Sequence, residues 1–358
     1  MILKKSKKSH LDKNMFFDEP VDIARYDHVR YPNVEKLTDK QLGFFWRPEE
    51  VDVSKDKIDF NNLTENEKHI FTSNLKRQIV LDSVQGRAPN LAFLPITSLP
   101  EIENWIETWS FFETIHSRSY THIIRNIYPN PGLVFDEILN IKQISDCATD
   151  ISKYYDQLVV LNNTPSKFGT YEHKKSLWLA MNAVNALEGI RFYVSFACSW
   201  AFAELKNMEG NAKIIKLIAR DENTHLAGST MIIRNLVKED KDYAKIEKEC
   251  ADEVQALYVA VIEQEKEWAE YLFKDGSMIG LNQRLLAEYV EWIGCKRMRS
   301  LGITCPYTTP KANPLPWTEK WIGGGNVQVA PQETEITSYI TGGVKQDVTA
   351  ESMAGLSL

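Results

Sequence analysis

The distribution of apolar residues and prolines predicts long helices through the middle of the chain. No proline occurs between Pro165 and Pro306, and such a stretch permits long helices because proline breaks helix interiors. Apolar side chains recur there at helical spacing over residues 185–206 and 209–236, with Gly210 marking a junction. Strand-like alternation is weak and short. The pattern therefore predicts an all-α bundle.

Local start and stop residues predict the limits of further helices. Thr64 followed three residues later by Glu67 forms a capping-box pattern, so we expect a helix to begin there. That helix can continue through Asp82 to about Gly86. The other predicted helices cover residues 99–128, 248–273 and 281–300.

The two ends of the chain differ in composition from its middle. Residues 1–16 start with a lysine-rich stretch that no apolar segment follows, so they are predicted to be a basic tail rather than a secretory signal. After about residue 303, Pro, Gly, Thr and Gln dominate, and residues 331–358 are predicted to be a flexible tail. The main domain is predicted to cover residues 17–330.

Charge and cysteine content exclude several classes of protein. The chain has 42 Lys and Arg against 49 Asp and Glu, a net charge of −7, whereas a nucleic-acid binder usually presents a basic face. No long apolar run exists, so no membrane span is predicted. The cysteines number 5 and none has CxxC spacing. We therefore expect no disulfide framework and a reducing, cytoplasmic location.

Two histidines carry the strongest chemical pattern in the sequence. Glu113 precedes His116 by three residues, and Glu222 precedes His225 by the same interval. Residues three apart share one face of a helix, so both side chains of a pair can reach one metal ion. One such pair is weak evidence because glutamate is common in helices. Two pairs in one helical protein predict two metal ions.

A two-metal site of this kind needs further carboxylates from two other helices. Asp82 and Glu188 are lone acids in largely apolar helical stretches, where a charge is otherwise costly, and each lies a similar distance upstream of one pair. The six predicted ligands are Asp82, Glu113, His116, Glu188, Glu222 and His225. Mixed carboxylate and imidazole ligation suits iron or manganese better than metals that prefer soft ligands.

A tyrosine is predicted to lie beside these metals. Tyr120 follows His116 by four residues, one turn further along the same helix. Three apolar residues, spaced by whole turns from other ligands, would surround it: Phe192, Phe196 and Ile218. Two iron(II) ions with O₂ give an oxidant able to take one electron and one proton from a phenol, and a radical on Tyr120 would last only where water is excluded. The alternative is an ordinary core tyrosine with a hydrogen-bond partner.

Longer segments around these residues resemble the radical-generating small (β, R2) subunit of class I ribonucleotide reductase, most closely the aerobic bacterial class Ia type. The segments are FFWRPEEVDVS (44–54), ETIHSRSYTHIIRNI (113–127), NALEGIRFYVSFAC (185–198), MEGNAKIIKLIARDE (208–222), DGSMIGLN (275–282) and NVQVAPQE (326–333). The similarity covers about residues 17–345. It implies a ferritin-like helical bundle with a di-metal site in a four-helix core. It also implies two iron ions in a μ-oxo centre per chain, with manganese as the alternative metal, and a stable radical on Tyr120.

The resemblance further implies a radical relay and a partner subunit. Trp46 would supply an electron while the metal centre assembles, and Asp221 would link it to His116. Tyr339 would pass the oxidising equivalent to the large catalytic (α, R1) subunit. The chain end would dock on that subunit through Leu356 and Leu358. A homodimer is implied as well, together with O₂ and an electron donor for assembly, and no contact with nucleic acid or membrane.

The sequence therefore predicts the small subunit of an aerobic ribonucleoside-diphosphate reductase. It would use the di-iron centre and O₂ to oxidise Tyr120, and the large subunit would use that radical to reduce ribonucleotides to deoxyribonucleotides. Two alternatives use the same bundle, a ferritin-like ferroxidase and a di-iron oxygenase. A ferroxidase does not need Tyr120, Trp46 or the tail, and an oxygenase needs a substrate cavity beside the metals. Tyr120 and Tyr339 together favour the reductase.

Overall fold

The computed structural model describes residues 5–322, which form a bundle of α-helices joined by short connections. The helices are α1 (Pro32–Gly43), α2 (Ser54–Asn62), α3 (Glu65–Gln85), α4 (Ala88–Ala92), α5 (Pro100–Ile127), α6 (Pro131–Asp136), α7 (Lys142–Asn162), α8 (Tyr171–Ala186), α9 (Tyr193–Glu204), α10 (Glu209–Glu239), α11 (Lys241–Glu249), α12 (Ala251–Leu272), α13 (Gln283–Ser300) and α14 (Glu319–Ile322). The prediction of an all-α fold is confirmed. Within residues 5–322, β-pairing is limited to two isolated bridges, Phe16 with Thr97 and Met278 with Leu281.

Local capping explains where the helices at the centre of the bundle begin. The hydroxyl of Thr64 accepts a hydrogen bond from the Glu67 amide, and the Glu67 carboxylate accepts one from the Thr64 amide, so the predicted capping box is confirmed. α5 begins with Pro100 in its first turn, where the missing amide costs nothing. It ends at Ile127, one residue before the predicted end at about Tyr128.

One predicted helical stretch is interrupted. The apolar run over 185–206 is helical, but α8 ends at Ala186 and the chain continues as a π-helical turn, Leu187–Arg191, before α9 begins. A π-turn inserts one extra residue and rotates the side chains that follow it. Periodicity alone did not predict this turn. Residues 185–203 are all buried, so this part of the segment shows no exposed polar face whose position would reveal the extra residue.

Close packing brings α5 and α10 together at the centre. Gly228 lies on α10, and a Cβ atom at this position would come within 2.3 Å of the indole ring of Trp105 on α5. Only glycine leaves room for that ring. α3 packs against α5 and α9, and α10 packs against α5, α9 and the π-helical turn, so these elements enclose one continuous core. None of the described helices is long and apolar enough to cross a membrane.

The sequence predicted that the main domain is flanked by an N-terminal tail ending at residue 16 and a C-terminal tail beginning at residue 331. Met15 and Phe16 are buried in the core, and the amide of Met15 donates to the Glu239 carboxylate at 3.0 Å. The boundary at residue 16 stays a prediction. The predicted C-terminal tail, with Tyr339, Leu356 and Leu358, lies outside the described residues.

The sequence predicted no disulfide framework, and residues 5–322 contain a single disulfide beside three free cysteines. Cys295 on α13 is bonded to Cys305, with their Cα atoms 5.2 Å apart. The reversal between them is a Schellman turn, in which Ile303 donates to the Met298 carbonyl and Gly302 adopts a φ of +77°. Sequence spacing could not reveal this pair, because the turn geometry brings it together. The other cysteines are buried thiols.

Candidate metal centre

The six predicted ligands converge in the core. They form two overlapping groups, and within each group the candidate ligand atoms all lie within 4.8 Å of one another. We call the group of Asp82, Glu113, His116 and Glu222 the His116 position. We call the group of Glu113, Glu188, Glu222 and His225 the His225 position. Glu113 and Glu222 belong to both, so they are placed to bridge two cations.

At the His116 position, one imidazole nitrogen faces three carboxylates. Nδ1 of His116 lies 3.2 Å from Glu113, 3.2 Å from Glu222 and 4.0 Å from Asp82. The helices explain this convergence. α3 contributes Asp82, α5 contributes Glu113 and His116 from one face, and α10 contributes Glu222.

The His225 position repeats this arrangement with a different helix. Nδ1 of His225 lies 3.0 Å from Glu113, 3.5 Å from Glu222 and 3.9 Å from Glu188. Glu188 lies on the π-helical turn rather than on a regular helix. The centroids of the two imidazole rings are 5.8 Å apart, so the two positions are close neighbours.

Burial controls the electrostatics of the carboxylates, since all of them are 0% exposed. Burial and the charge of Glu113 raise the pKa of Asp82, and burial and the charge of Glu222 raise the pKa of Glu188. Burial would raise the pKa of Glu222 as well, but contacts with Glu188 and the two imidazoles lower it. The cluster is therefore strongly anionic unless protons or cations neutralise it.

The two histidines respond to that negative charge. Burial alone lowers the pKa of an imidazole, because it penalises the charged form. Contacts with Asp221 and Glu113 nevertheless raise the pKa of His116 well above its ordinary value. The charges of Glu113 and Glu222 and their contacts with the ring together outweigh burial and raise the pKa of His225 to about 9. The core thus attracts positive charge at both positions.

The residues fit a pair of divalent cations. Both carboxylate oxygens of Asp82 and Oε2 of Glu188 are buried without a hydrogen-bond partner. An unpaired buried carboxylate is costly, and coordination to a cation removes that cost. A set of four carboxylates and two imidazoles is the ligand chemistry of iron or manganese rather than of metals that select thiolates.

A polar chain leads from the His116 position to a buried tryptophan. Nε2 of His116 lies 3.3 Å from Oδ2 of Asp221, and the same oxygen accepts a hydrogen bond of 2.8 Å from the indole nitrogen of Trp46. Arg220 donates to the other oxygen of Asp221 at 3.1 Å. Burial raises the pKa of that carboxyl, but the charge of Arg220 and the contacts with His116 and Trp46 together outweigh burial and lower it. A carboxylate behind the imidazole directs Nδ1 toward the ligand cluster.

Tyr120 is fully buried, and its hydroxyl makes no hydrogen bond. Burial, followed by the charge of Asp82, raises the pKa of the phenol well above its ordinary value. The three residues predicted to form its apolar surroundings, Phe192, Phe196 and Ile218, are also fully buried and belong to the same core. The rings of Phe192 and Phe196 stack with centroids 5.4 Å apart.

Two residues that contact the ligands, and a third that contacts Asp221, were not singled out from the sequence. Gln85 donates to Glu188, Trp109 donates to Glu113 at 3.1 Å, and Arg220 contacts Asp221. Helical spacing offered a clue for two of them. Gln85 follows Asp82 by three residues and Trp109 precedes Glu113 by four, so each shares a helix face with a predicted ligand. Arg220 is adjacent to Asp221, and its role depends on the fold.

Comparison with known proteins agrees with the family resemblance of the sequence motifs and covers most of the chain. The family model described as "Ribonucleotide reductase, small chain" matches residues 24–314. Among curated relatives, "Ribonucleoside-diphosphate reductase 1 subunit beta" of Salmonella typhimurium is 52% identical over 370 residues, covering 99% of this chain and 98% of that protein.

Solved structures share the fold. The ribonucleotide reductase R2 subunit of Clostridium botulinum has a TM-score of 0.80 at 23% identity, covering 90% of this chain and 98% of that chain. The dimanganese(II) NrdF protein of Streptococcus sanguinis has a TM-score of 0.67 at 19% identity, covering 85% of this chain and 100% of that chain. Because the family model spans most of the chain and the Salmonella relative matches nearly all of it, this chain belongs to the ribonucleotide reductase small-chain family.

Proposed function

We propose that this protein is the radical-generating small subunit of an aerobic ribonucleoside-diphosphate reductase. The observation that carries the proposal is the placement of a fully buried phenol, Tyr120, in the core that also holds two carboxylate and imidazole groups sharing Glu113 and Glu222. Membership of the family supports the same activity. The large catalytic subunit would carry out the reduction of ribonucleotides.

Two iron ions are the proposed metals, with manganese as the alternative. Asp82 and His116 would hold one ion, Glu188 and His225 the other, and Glu113 with Glu222 would contact both. The chemistry supplied by bound iron is the reduction of O₂, which yields an oxidant strong enough to oxidise a phenol. Because manganese uses the same ligand types, the ligands leave both metals open.

Tyr120 holds its proton until it is oxidised. Burial and the nearby charge of Asp82 raise its pKa, so the phenol is neutral at physiological pH. Loss of one electron therefore requires loss of the phenolic proton as well. The 0% exposure of the side chain keeps water and external reductants from the resulting radical. Phe192, Phe196 and Ile218 are the proposed apolar walls.

Long-range transfer is proposed to run through Trp46. The chain Trp46–Asp221–His116 joins a buried indole to a metal ligand through hydrogen-bonding distances of 2.8 and 3.3 Å. Tyr339 would continue the relay toward the large subunit, where Leu356 and Leu358 would dock. A homodimer, an external electron donor, O₂ and a cytoplasmic location complete the proposal.

The identity of the radical residue is tested by the Tyr120→Phe variant, loaded with iron(II) in air. We expect the variant to bind two metals per chain and to lose the tyrosyl signal in the electron paramagnetic resonance spectrum. Tyr258→Phe is the matched control, because Tyr258 is equally buried and its hydroxyl donates to Asn185, at 2.8 Å, rather than to a ligand. A normal tyrosyl signal in Tyr120→Phe would show that the radical lies elsewhere.

A further inference from the structure

Glu188 is held from behind by a buried glutamine. Nε2 of Gln85 donates to Oε1 of Glu188 at 2.5 Å, and Oε1 of Gln85 accepts a hydrogen bond of 2.6 Å from the hydroxyl of Tyr155. Gln85 is 0% exposed and Tyr155 is 4% exposed, so water does not compete for these groups. The three side chains are therefore joined by hydrogen bonds into one continuous buried polar chain.

The hydroxyl of Tyr155 determines which way the Gln85 amide points. A phenol that donates a hydrogen bond requires the amide oxygen on its side, which leaves the amide NH₂ facing Glu188. An NH₂ group can only donate, so Oε1 of Glu188 is held as an acceptor. The other oxygen, Oε2, has no hydrogen-bond partner and lies 3.9 Å from Nδ1 of His225.

Glu188 also has a charged neighbour. Ligand atoms of Glu188 and of Glu222, the acid shared by both metal positions, lie within 4.8 Å of each other, so the two carboxylates repel when no cation or proton lies between them. A carboxylate on the π-helical turn that is repelled by a neighbouring acid keeps one orientation only if another group holds it. Gln85 is the residue that supplies this group.

α3 therefore serves both metal positions. Asp82 on this helix belongs to the His116 position, and Gln85 contacts Glu188 in the His225 position. Asp221 plays the equivalent part at the other position, since it directs the ring of His116. Buried groups that hydrogen-bond to metal ligands fix the orientation of those ligands and raise metal affinity.

We propose that Gln85, oriented by Tyr155, is a positioning residue that holds Glu188 ready for the cation at the His225 position. The pair sets the metal affinity of that position and leaves the His116 position unaffected. The inference rests on the proposed function only in taking the cluster as a two-metal site. It does not require the radical or the large subunit.

The test is anaerobic titration of the metal-free protein with manganese(II), followed by diffraction at the manganese absorption edge to assign occupancy. In Gln85→Leu we expect one of the two affinities to fall about 10- to 100-fold, with the occupancy lost at the His225 position. Gln78→Leu is the matched control. Gln78 lies two turns earlier on α3, is equally buried, and donates to a backbone carbonyl instead of a ligand.

Tyr155→Phe is a milder variant, which tests the same proposal if Gln85→Leu does not fold. It keeps the amide but removes the group that orients it, so we expect a smaller loss at the same position. Equal weakening at both positions, unchanged affinity in Gln85→Leu and Tyr155→Phe, or the same loss in Gln78→Leu would overturn the proposal. Failure of the proposed function would look different, because the wild-type protein would bind two metals normally and form no tyrosyl radical.

Discussion

The two metal positions share two ligands but differ in what lies behind their histidines. The ring of His116 is backed by Asp221, which is in turn hydrogen-bonded to Trp46. The ring of His225 is instead surrounded by two indoles, with centroids 6.3 Å away for Trp105 and 5.8 Å away for Trp109. The His116 position is therefore connected to Trp46 through polar contacts, whereas the histidine of the His225 position packs against aromatic rings.

The two Glu-x-x-His pairs look equivalent in the sequence, but their surroundings differ, so we expect the two metal positions to have different roles. A carboxylate behind an imidazole orients the ring, raises its basicity and connects it to a redox-active indole. Aromatic packing orients a ring by shape and provides no charged connection. At the His225 position the polar support goes to Glu188 through Gln85 rather than to the histidine. Electron transfer is thus expected to use the His116 side.

The largest effect is expected from removing an acid that both positions share. Glu222→Ala takes a ligand from each position and leaves both imidazoles beside an incomplete site. We expect both affinities to fall by more than about 100-fold, which is beyond the range typical for outer contacts. Calorimetric titration with manganese(II) measures this. Glu188→Ala, which removes a ligand from one position, is the matched variant and is expected to retain one metal.

An effect on one position is expected from Asp221→Asn. The amide has the shape of the carboxylate but lacks its charge, so it supports the His116 ring less well and weakens the link to Trp46. Metal affinity is expected to fall about 10- to 100-fold at the His116 position. Occupancies from diffraction at the metal edge distinguish the positions, and a selective loss at the His225 position would contradict the comparison.

The smallest effect is expected from filling the space beside Trp105. In Gly228→Ala the new Cβ would overlap the indole that packs near His225, and overpacking of this kind costs about 1–3 kcal/mol of stability. Urea unfolding of the metal-free protein measures this loss of stability. We also expect a small decrease in metal affinity at the His225 position. Gly43→Ala is the control, because nothing lies within 4 Å of the position that the added Cβ would take. Equal destabilisation in both variants would show that the Trp105 contact is unimportant.

The predictions that succeeded depend on short-range patterns. The capping box at Thr64 and Glu67 and the two Glu-x-x-His pairs involve residues one helical turn apart, and a helix fixes the relative placement of such residues. Asp82 and Glu188 could be singled out because a lone acid in an apolar helix is costly without a partner. The fold class and all six clustered side chains were therefore accessible from the sequence.

The remaining features depend on residues that are distant in the chain. Gln85 and Glu188 are separated by 103 positions, and Tyr155 and Gln85 by 70. No local pattern specifies which of many buried amides will meet a ligand. The π-helical turn that carries Glu188 and the Cys295–Cys305 bond likewise follow from how neighbouring segments pack.

By itself, the sequence predicted the helices and the six side chains that cluster in the core, because helical periodicity and the cost of buried charge act locally. Only the tertiary structure decided how those residues differ from one another. It placed a carboxylate behind His116, indoles behind His225 and a glutamine behind Glu188. Those contacts are made between helices, and their partners are selected by the shape of the packed core.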